Sequence, residues 1–268
     1  MIVRARNEER TIERALRSLH GQTVVPEVIV VDSGSTDATR EVAERWADRV
    51  VEIPAETFTY GRALNVGAAA AAAPFHFALS AHCVADRPTW IERSLAHYDR
   101  PDVAATNGRQ AGTADSEAFY QDAAHARAHP FVGFSNHASS WRASVWREFP
   151  FDEGLDYAED KEWALRVMEA GWLIAFDPAL DVDMSHVWRG GLVDHYRRQR
   201  RAGRAIASFN PGPGYGLREW LGEWWSGPED DRPPWRRRLS PVRSAGLIGK
   251  YQGCRAALRR PTRPPGGP

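Results

Sequence analysis

The side chains best placed to do chemistry are carboxylates and one imidazole, each set where an apolar strand gives out or a helix begins. Val28-Ile29-Val30-Val31-Asp32-Ser33-Gly34-Ser35 puts a carboxylate where four β-branched residues yield to small ones. An ionised Asp32 accepts hydrogen bonds and donates none, so it suits a pyrimidine N–H or a ribose hydroxyl and repels a phosphate. A strand-end Asp that merely closes its own loop is the equal alternative. Glu8 ends a first short run, Ile2-Val3-Arg4-Ala5-Arg6-Asn7-Glu8. Ser80-Ala81-His82-Cys83 follows the apolar run Phe75 to Leu79. A neutral imidazole ligates Mn²⁺ or a similar borderline cation, a protonated one bonds a phosphate oxygen, and a lone strand-end His can do neither. Glu159-Asp160 starts a helix, where acidic groups also suit the positive end of the dipole without any chemistry.

The elements that must position these groups alternate between strand and helix. Residues 28–31 form a run expected to be buried on both faces, Gly34 permits a tight turn, and Ser35 or Thr36 is expected to cap a helix through Val42 and Trp46. Ile12, Ala15, Leu16 and Leu19 fall on one helical face, as do Trp163, Ala164 and Val167 after the acidic pair. An Ala-rich helix follows Gly61-Arg62-Ala63-Leu64-Asn65-Val66-Gly67. Such a layout predicts an open α/β sheet, with ligands bound at the carboxyl ends of its strands.

This ordered series resembles the inverting family 2 glycosyltransferases of GT-A fold over roughly residues 1 to 205. The resemblance implies a single Rossmann-like α/β domain with a mixed central sheet flanked by helices. It also implies transfer of a sugar from a nucleoside diphosphate sugar, UDP- or dTDP-linked, to a hydroxyl acceptor such as a lipid-linked one, a glycan or a natural product. Asp160 would be the general base and Glu159 would shape the site beside it. Arg6, Asn7, Glu8, Asp32, Arg62, Asn65, Ser80 and His82 would meet the nucleotide sugar, and Arg62 or His82 the charge on the leaving diphosphate. Arg109, Asn136 and Trp141 would line the sugar and acceptor pocket, since rings cover apolar sugar faces and amides read hydroxyls. For Phe131, Phe134 and Trp141, core packing is at least as good an account.

One departure from the family concerns the metal. Its members usually carry two carboxylates, one residue apart, that bind a divalent cation on the diphosphate, whereas Ser80 and His82 stand there instead. Mn²⁺ or Mg²⁺ held by His82 and the later His186 is the metal expectation, with looser cation dependence than the paired carboxylates give. Asp181-Val182-Asp183-Met184-Ser185-His186 reads as an alternating strand.

A nucleotidyltransferase of similar layout is the rival enzyme, but Asn7-Glu8-Glu9-Arg10 is not the Gly- and Lys/Arg-rich loop that grips a triphosphate. The missing carboxylate pair raises a third possibility, a sugar-nucleotide-binding protein impaired in catalysis. Composition argues against nucleic acid. The chain has 268 residues with 35 basic and 35 acidic groups. Ten of the basic ones, and no acidic one, follow Asp231, so the preceding residues are about ten charges negative and would repel a polyanion. The boundary is expected near residue 208, with a Pro/Gly-, Trp- and Arg-rich extension over 209–268. Within it Val242, Leu247, Ile248, Tyr251, Ala256 and Leu258 among Arg243, Lys250, Arg255, Arg259 and Arg260 suggest a basic amphipathic helix. Trp220, Trp224, Trp225 and Trp235 precede it, suited to an anionic membrane surface. Packing on the acidic body is the alternative. Two cysteines make no disulfide framework and fit a cytoplasmic protein, peripheral at the inner membrane face. The abrupt opening strand carries arginines, unlike a signal peptide, and is what a chain starting upstream of Met1 would leave.

Overall fold

The computed structural model describes residues 1–108, 117–184, 191–210, 218, 221 and 241–258. Its sheet has eight strands in the order β3-β2-β1-β4-β7-β5-β8-β6. They are β1 Ile2–Ala5, β2 Ile29–Asp32, β3 Arg49–Glu52, β4 Phe75–Ser80, β5 Val103–Asn107, β6 Phe119–Gln121, β7 Ala138–Arg142 and β8 Leu173–Phe176. The first four lie parallel, and β7 runs antiparallel to β4 and β5. Strand β8 is parallel to β5, and β6 is antiparallel to β8. The reversal at β7 brings the start of one strand beside the end of another: Ser80 N–H donates to His137 O at 2.9 Å.

Strand pleating sorts the apolar side chains into two cores. Val3, Val30, Phe77 and Leu79 pack against Ile12, Leu16 and Leu19 of α1 (Ile12–His20), Val42 of α2 (Thr39–Trp46) and Trp90 of α4 (Trp90–Ala96). Their neighbours Ile2, Val31 and Ala78 face the other way. There they meet Leu64 of α3 (Tyr60–Ala70), Val145 of α6 (Ala143–Glu148) and Trp163 and Val167 of α7 (Glu159–Glu169). Helix α3 lies close on the sheet because Gly67 faces it, and a Cβ there would fall 2.4 Å from Ile2 Cγ2. A short helix, α5 (Ala123–Ala128), completes this half.

Helix α2 starts later than the sequence suggests. Its first residue is Thr39, whose N–H donates to Asp37 Oδ1 at 3.0 Å, while Ser35 and Thr36 stay in the preceding loop with other partners. Asp181 to Met184 form no strand either. A 3₁₀ turn spans Pro178–Leu180, and Asp183 makes an isolated bridge to Val84. The turn, set by its leading proline and the Asp177 cap on Ala179 N–H, precedes the expected strand; Asp181 beyond it is extended, but among the described residues the segment pairs only through Asp183 and so forms no ladder.

The chain divides into two compact units, Met1–Arg189 and Gly190–Pro268. Helix α8 (Leu192–Phe209), assigned by composition to the residues before 208, thus goes with the C-terminal segment. The physical reason is α9 (Pro241–Leu258), which lies against it through glycines. A Cβ on Gly249 would fall 2.5 Å from Tyr196 O, and one on Gly253 would fall 2.2 Å from Arg200 O. Cys254 Sγ donates to Gly203 O at 3.4 Å. Contacts advance along both helices together, so the two run parallel. No described helix is long and apolar enough to cross a membrane.

Candidate active site

Three strand ends and one helix start converge in the first unit. Arg4 on β1 pairs in register with Ser80 on β4, and Ala81 N–H donates to Arg4 O at 3.2 Å. Arg4 Nη2 then donates to Asn136 O at 2.9 Å, just ahead of β7. Asn136, itself buried, donates from Nδ2 to Glu159 Oε1 at 3.1 Å, and its backbone N–H lies 3.4 Å from Asp160 Oδ2. Glu159 also faces Arg4, 3.8 Å from Nη1. The sequence reading left Arg4 as an ordinary strand residue. A charged side chain inside the apolar run Ile2-Val3-Arg4-Ala5 is the sequence signal for an acidic partner, and the structure buries Arg4 to 12% exposure opposite Glu159.

The acidic pair is held from below and above. Ala158 precedes it at φ 63°, a left-handed conformation uncommon for a residue with a Cβ, and costs of order 1 kcal/mol. One turn into α7, Trp163 is fully buried against Phe134 and Phe151, whose ring centroids each lie 5.1 Å from its own. Lys161 Nζ donates to Gly133 O and Phe134 O at 2.8 and 2.7 Å, tying the helix start to the loop before Asn136. Burial, reinforced by the neighbouring charge of Asp160, pushes the Glu159 carboxyl up to about 7 against the opposing pull of Arg4. Asp160 remains half-exposed at the rim.

The loops after β1 and β2 are laced together. Thr36 N–H donates to Asn7 Oδ1 at 2.8 Å, Asn7 N–H to Ser35 Oγ at 3.0 Å, and Glu8 N–H to Thr39 Oγ1 at 2.7 Å. Asp32, 2% exposed, accepts from Ser35 N–H at 3.0 Å through one oxygen and from the Ser35 hydroxyl through the other. Its loop-closing role is therefore present, and any ligand uses the lone pairs that remain. Glu8 accepts from Thr11 Oγ1 at 2.7 Å and meets His82 Nδ1 at 3.0 Å. The His82 ring stands 6.3 Å from that of His137, whose Nδ1 is 2.7 Å from Ser135 Oγ. Ser80 is buried at the end of β4, and Arg6 is exposed.

Other candidates have structural partners. Trp141, expected in the sugar pocket, is fully buried: its ring meets Phe151 at 5.2 Å inside the second core. The alternation of β7 turns it onto that face. Asn65 is a strut, since Nδ2 donates to Phe151 O and Glu153 Oε1, both at 2.9 Å, and Oδ1 accepts from Trp146 Nε1 and Phe151 N–H. Arg62 sits 3.6 Å from Glu153. Arg109 and His186, like Trp220, Trp224, Trp225 and Trp235, lie outside the described residues.

Residues 1–156 match the sequence profile of Glycosyl transferase family 2. The chain belongs to that family. Its similarity to the O-antigen chain rhamnosyltransferase WbaN of Salmonella anatum is 28% identity over 181 residues, 60% of this chain and 56% of that protein. The chain thus spans little more than half of that relative. The mixed eight-stranded sheet with its flanking helices is the GT-A fold. A mannosyltransferase of Pyrobaculum calidifontis, in complex with GDP-Man and Mn²⁺, matches at TM-score 0.61 and 18% identity, over 96% of this chain and 72% of that one. The glucosyl-3-phosphoglycerate synthase of Mycobacterium tuberculosis, in complex with Mn²⁺, UDP and glucosyl-3-phosphoglycerate, matches at TM-score 0.60 and 19% identity over 80% of each chain.

Both of those complexes contain Mn²⁺, and the donor set here fits such an ion poorly. Among the described residues no three His, Cys, Asp or Glu side chains converge as a metal site requires. Cys83 is buried, with its thiol pushed up to about 12 by that burial, so it offers no thiolate. Both oxygens of Glu8 have partners, and Asp183 Oδ2 accepts from Arg14 at 2.7 Å.

Proposed function

We propose that this glycosyltransferase moves a hexosyl or deoxyhexosyl group, with inversion, from a UDP- or dTDP-sugar to a hydroxyl acceptor, with Asp160 as the general base. The observation that carries this reading is the half-exposed Asp160 at the start of α7, on the same rim as Arg4, Asn136 and the ends of β1 and β4. One Asp160 oxygen takes the acceptor proton while the acceptor oxygen bonds to C1. The bond from C1 to the β-phosphate oxygen breaks on the opposite side, leaving its electron pair on the diphosphate. A single displacement inverts C1 and needs no covalent intermediate on the enzyme. Glu159, its carboxyl pushed up to about 7 by burial, lightens the negative charge on the rim and keeps Asn136 in place. Asp32 and the laced loops after β1 and β2 offer acceptors for the nucleoside.

The rhamnosyltransferase relative favours a deoxyhexosyl donor within this scheme. A panel of UDP- and dTDP-sugars tests it by release of free nucleoside diphosphate, and the anomeric configuration of the product tests inversion. Release above background from one donor, and a product of opposite anomeric configuration, are expected. Retained configuration removes the single displacement. Binding without release leaves the impaired sugar-nucleotide-binding protein as the reading.

A second proposal concerns the C-terminal unit, where Arg197, Arg201 and Arg204 are exposed on one helical face of α8 with Val193, and Asp194 is the only acidic residue of the helix. That face suits an anionic lipid surface, where an acceptor carried on a lipid would be found.

A further inference from the structure

At this rim, the polar side-chain atoms left over among the described residues are mostly nitrogens. Arg4 Nε and Nη1 and His82 Nε2 are buried without a hydrogen-bond partner, as are two oxygens, the amide Oδ1 of Asn136 and the Ser33 hydroxyl just past β2. The carboxylates already accept hydrogen bonds, and half-exposed Asp160 is kept for the acceptor proton. Glu8 is shared between His82 and Thr11, Glu159 Oε1 takes Asn136, and the Asp160 oxygens take the backbone N–H groups of Lys161 and Asn136. A divalent cation needs several oxygen lone pairs, whereas a phosphate needs N–H donors. The leftover atoms suit the anion.

We propose that the diphosphate of the donor is held directly by Arg4 and His82, with no divalent cation bridging it to the protein. This rests on the nucleotide-sugar reading above. Glu8 Oε1, 3.0 Å from His82 Nδ1, takes the N–H on that side and fixes the ring. Nε2, left over on the far side of the ring, then presents its own N–H to a phosphate oxygen. Together with the Arg4 guanidinium this brings N–H donors from two side chains to the diphosphate. As the C1–O bond breaks, the electron pair settles on a β-phosphate oxygen, and donors already aimed there stabilise that charge most in the transition state. The place where family members usually carry a metal-binding carboxylate pair is thus taken by a carboxylate–histidine pair that grips the anion itself.

The experiment is calorimetric titration of the full chain with UDP and with dTDP, in chelator and in Mn²⁺, for the wild type, His82→Ala and His82→Asp. Wild-type affinity is expected to agree within about twofold between the two media. His82→Ala should weaken binding in chelator by about tenfold or more, the loss expected of a hydrogen bond to a charged group. His82→Asp should bind weakly in chelator and recover in Mn²⁺, with protein-bound Mn²⁺ visible by electron paramagnetic resonance. A wild-type affinity that collapses in chelator and returns with Mn²⁺ overturns the proposal and leaves the nucleotide-sugar reading standing. No binding of either nucleoside diphosphate in either medium overturns both.

Discussion

Glu159 carries the most testable electrostatics of the rim. Its folded-state value of about 7 lies above the ordinary 4.5, so the folded protein holds this proton more tightly than the unfolded chain does. Its contribution to stability is therefore complete below about pH 4.5 and is lost as pH rises through about 7. Relative to Glu159→Gln, which cannot titrate, the wild type should lose roughly 1 to 3 kcal/mol across that window. Denaturant midpoints of the two proteins, measured at several pH values, check this, and parallel pH profiles would sink it. His76 adds an opposite dependence: burial holds its ring down at about 4, so its contribution fades as pH falls below its ordinary 6.5. Comparison with the Gln variant cancels that background. Single residues were legible here in proportion to how local their cause is. Asp160 stands at a helix start that sequence marks plainly, but Trp141 among polar neighbours looks the same whether its ring faces a sugar or a core. Only the pairing of His76 with Trp141 across β4 and β7 reveals which face it takes.

Elements with strong periodicity were legible as well. The buried residues of α1 are the Ile12, Ala15, Leu16 and Leu19 that its spacing selects, and β2 and β4 lie where their apolar runs lie. What sequence hides is the partner of a small-residue face. Gly246, Gly249 and Gly253 look like defects in an amphipathic helix, since glycine weakens helices. Against α8 they are what lets two backbones approach, with Leu247 and Cys254 buried beside them. Gly253→Val should therefore destabilise the α8–α9 pair by about 1 to 3 kcal/mol through overpacking. Faster amide hydrogen exchange in 192–209 and 241–258 would report it, with exchange in β1 and β4 unchanged. Unaltered protection in both helices would mean the glycines make no close contact.

For the whole molecule, the division of charge matters most: ten basic and no acidic residues follow Asp231 in a chain that is neutral overall. Reversal of Arg197, Arg201 and Arg204 to Glu leaves the glycine seam and those ten charges intact and should weaken salt-sensitive flotation with anionic vesicles. Each basic group near an anionic leaflet contributes about 1 kcal/mol at low salt. Equal flotation of variant and wild type, or none by either, would remove the lipid surface from the account. The family and the GT-A fold account for what the first unit is, and sugar transfer through Asp160 is the claim on which the proposed chemistry stands. Its most direct measurement is turnover of Asp160→Asn with the active donor and acceptor, alongside calorimetric affinity for the nucleoside diphosphate. Loss of a general base predicts a fall in kcat of about two to four orders of magnitude, with affinity for the nucleoside diphosphate retained. Near-normal turnover in that variant would contradict the account.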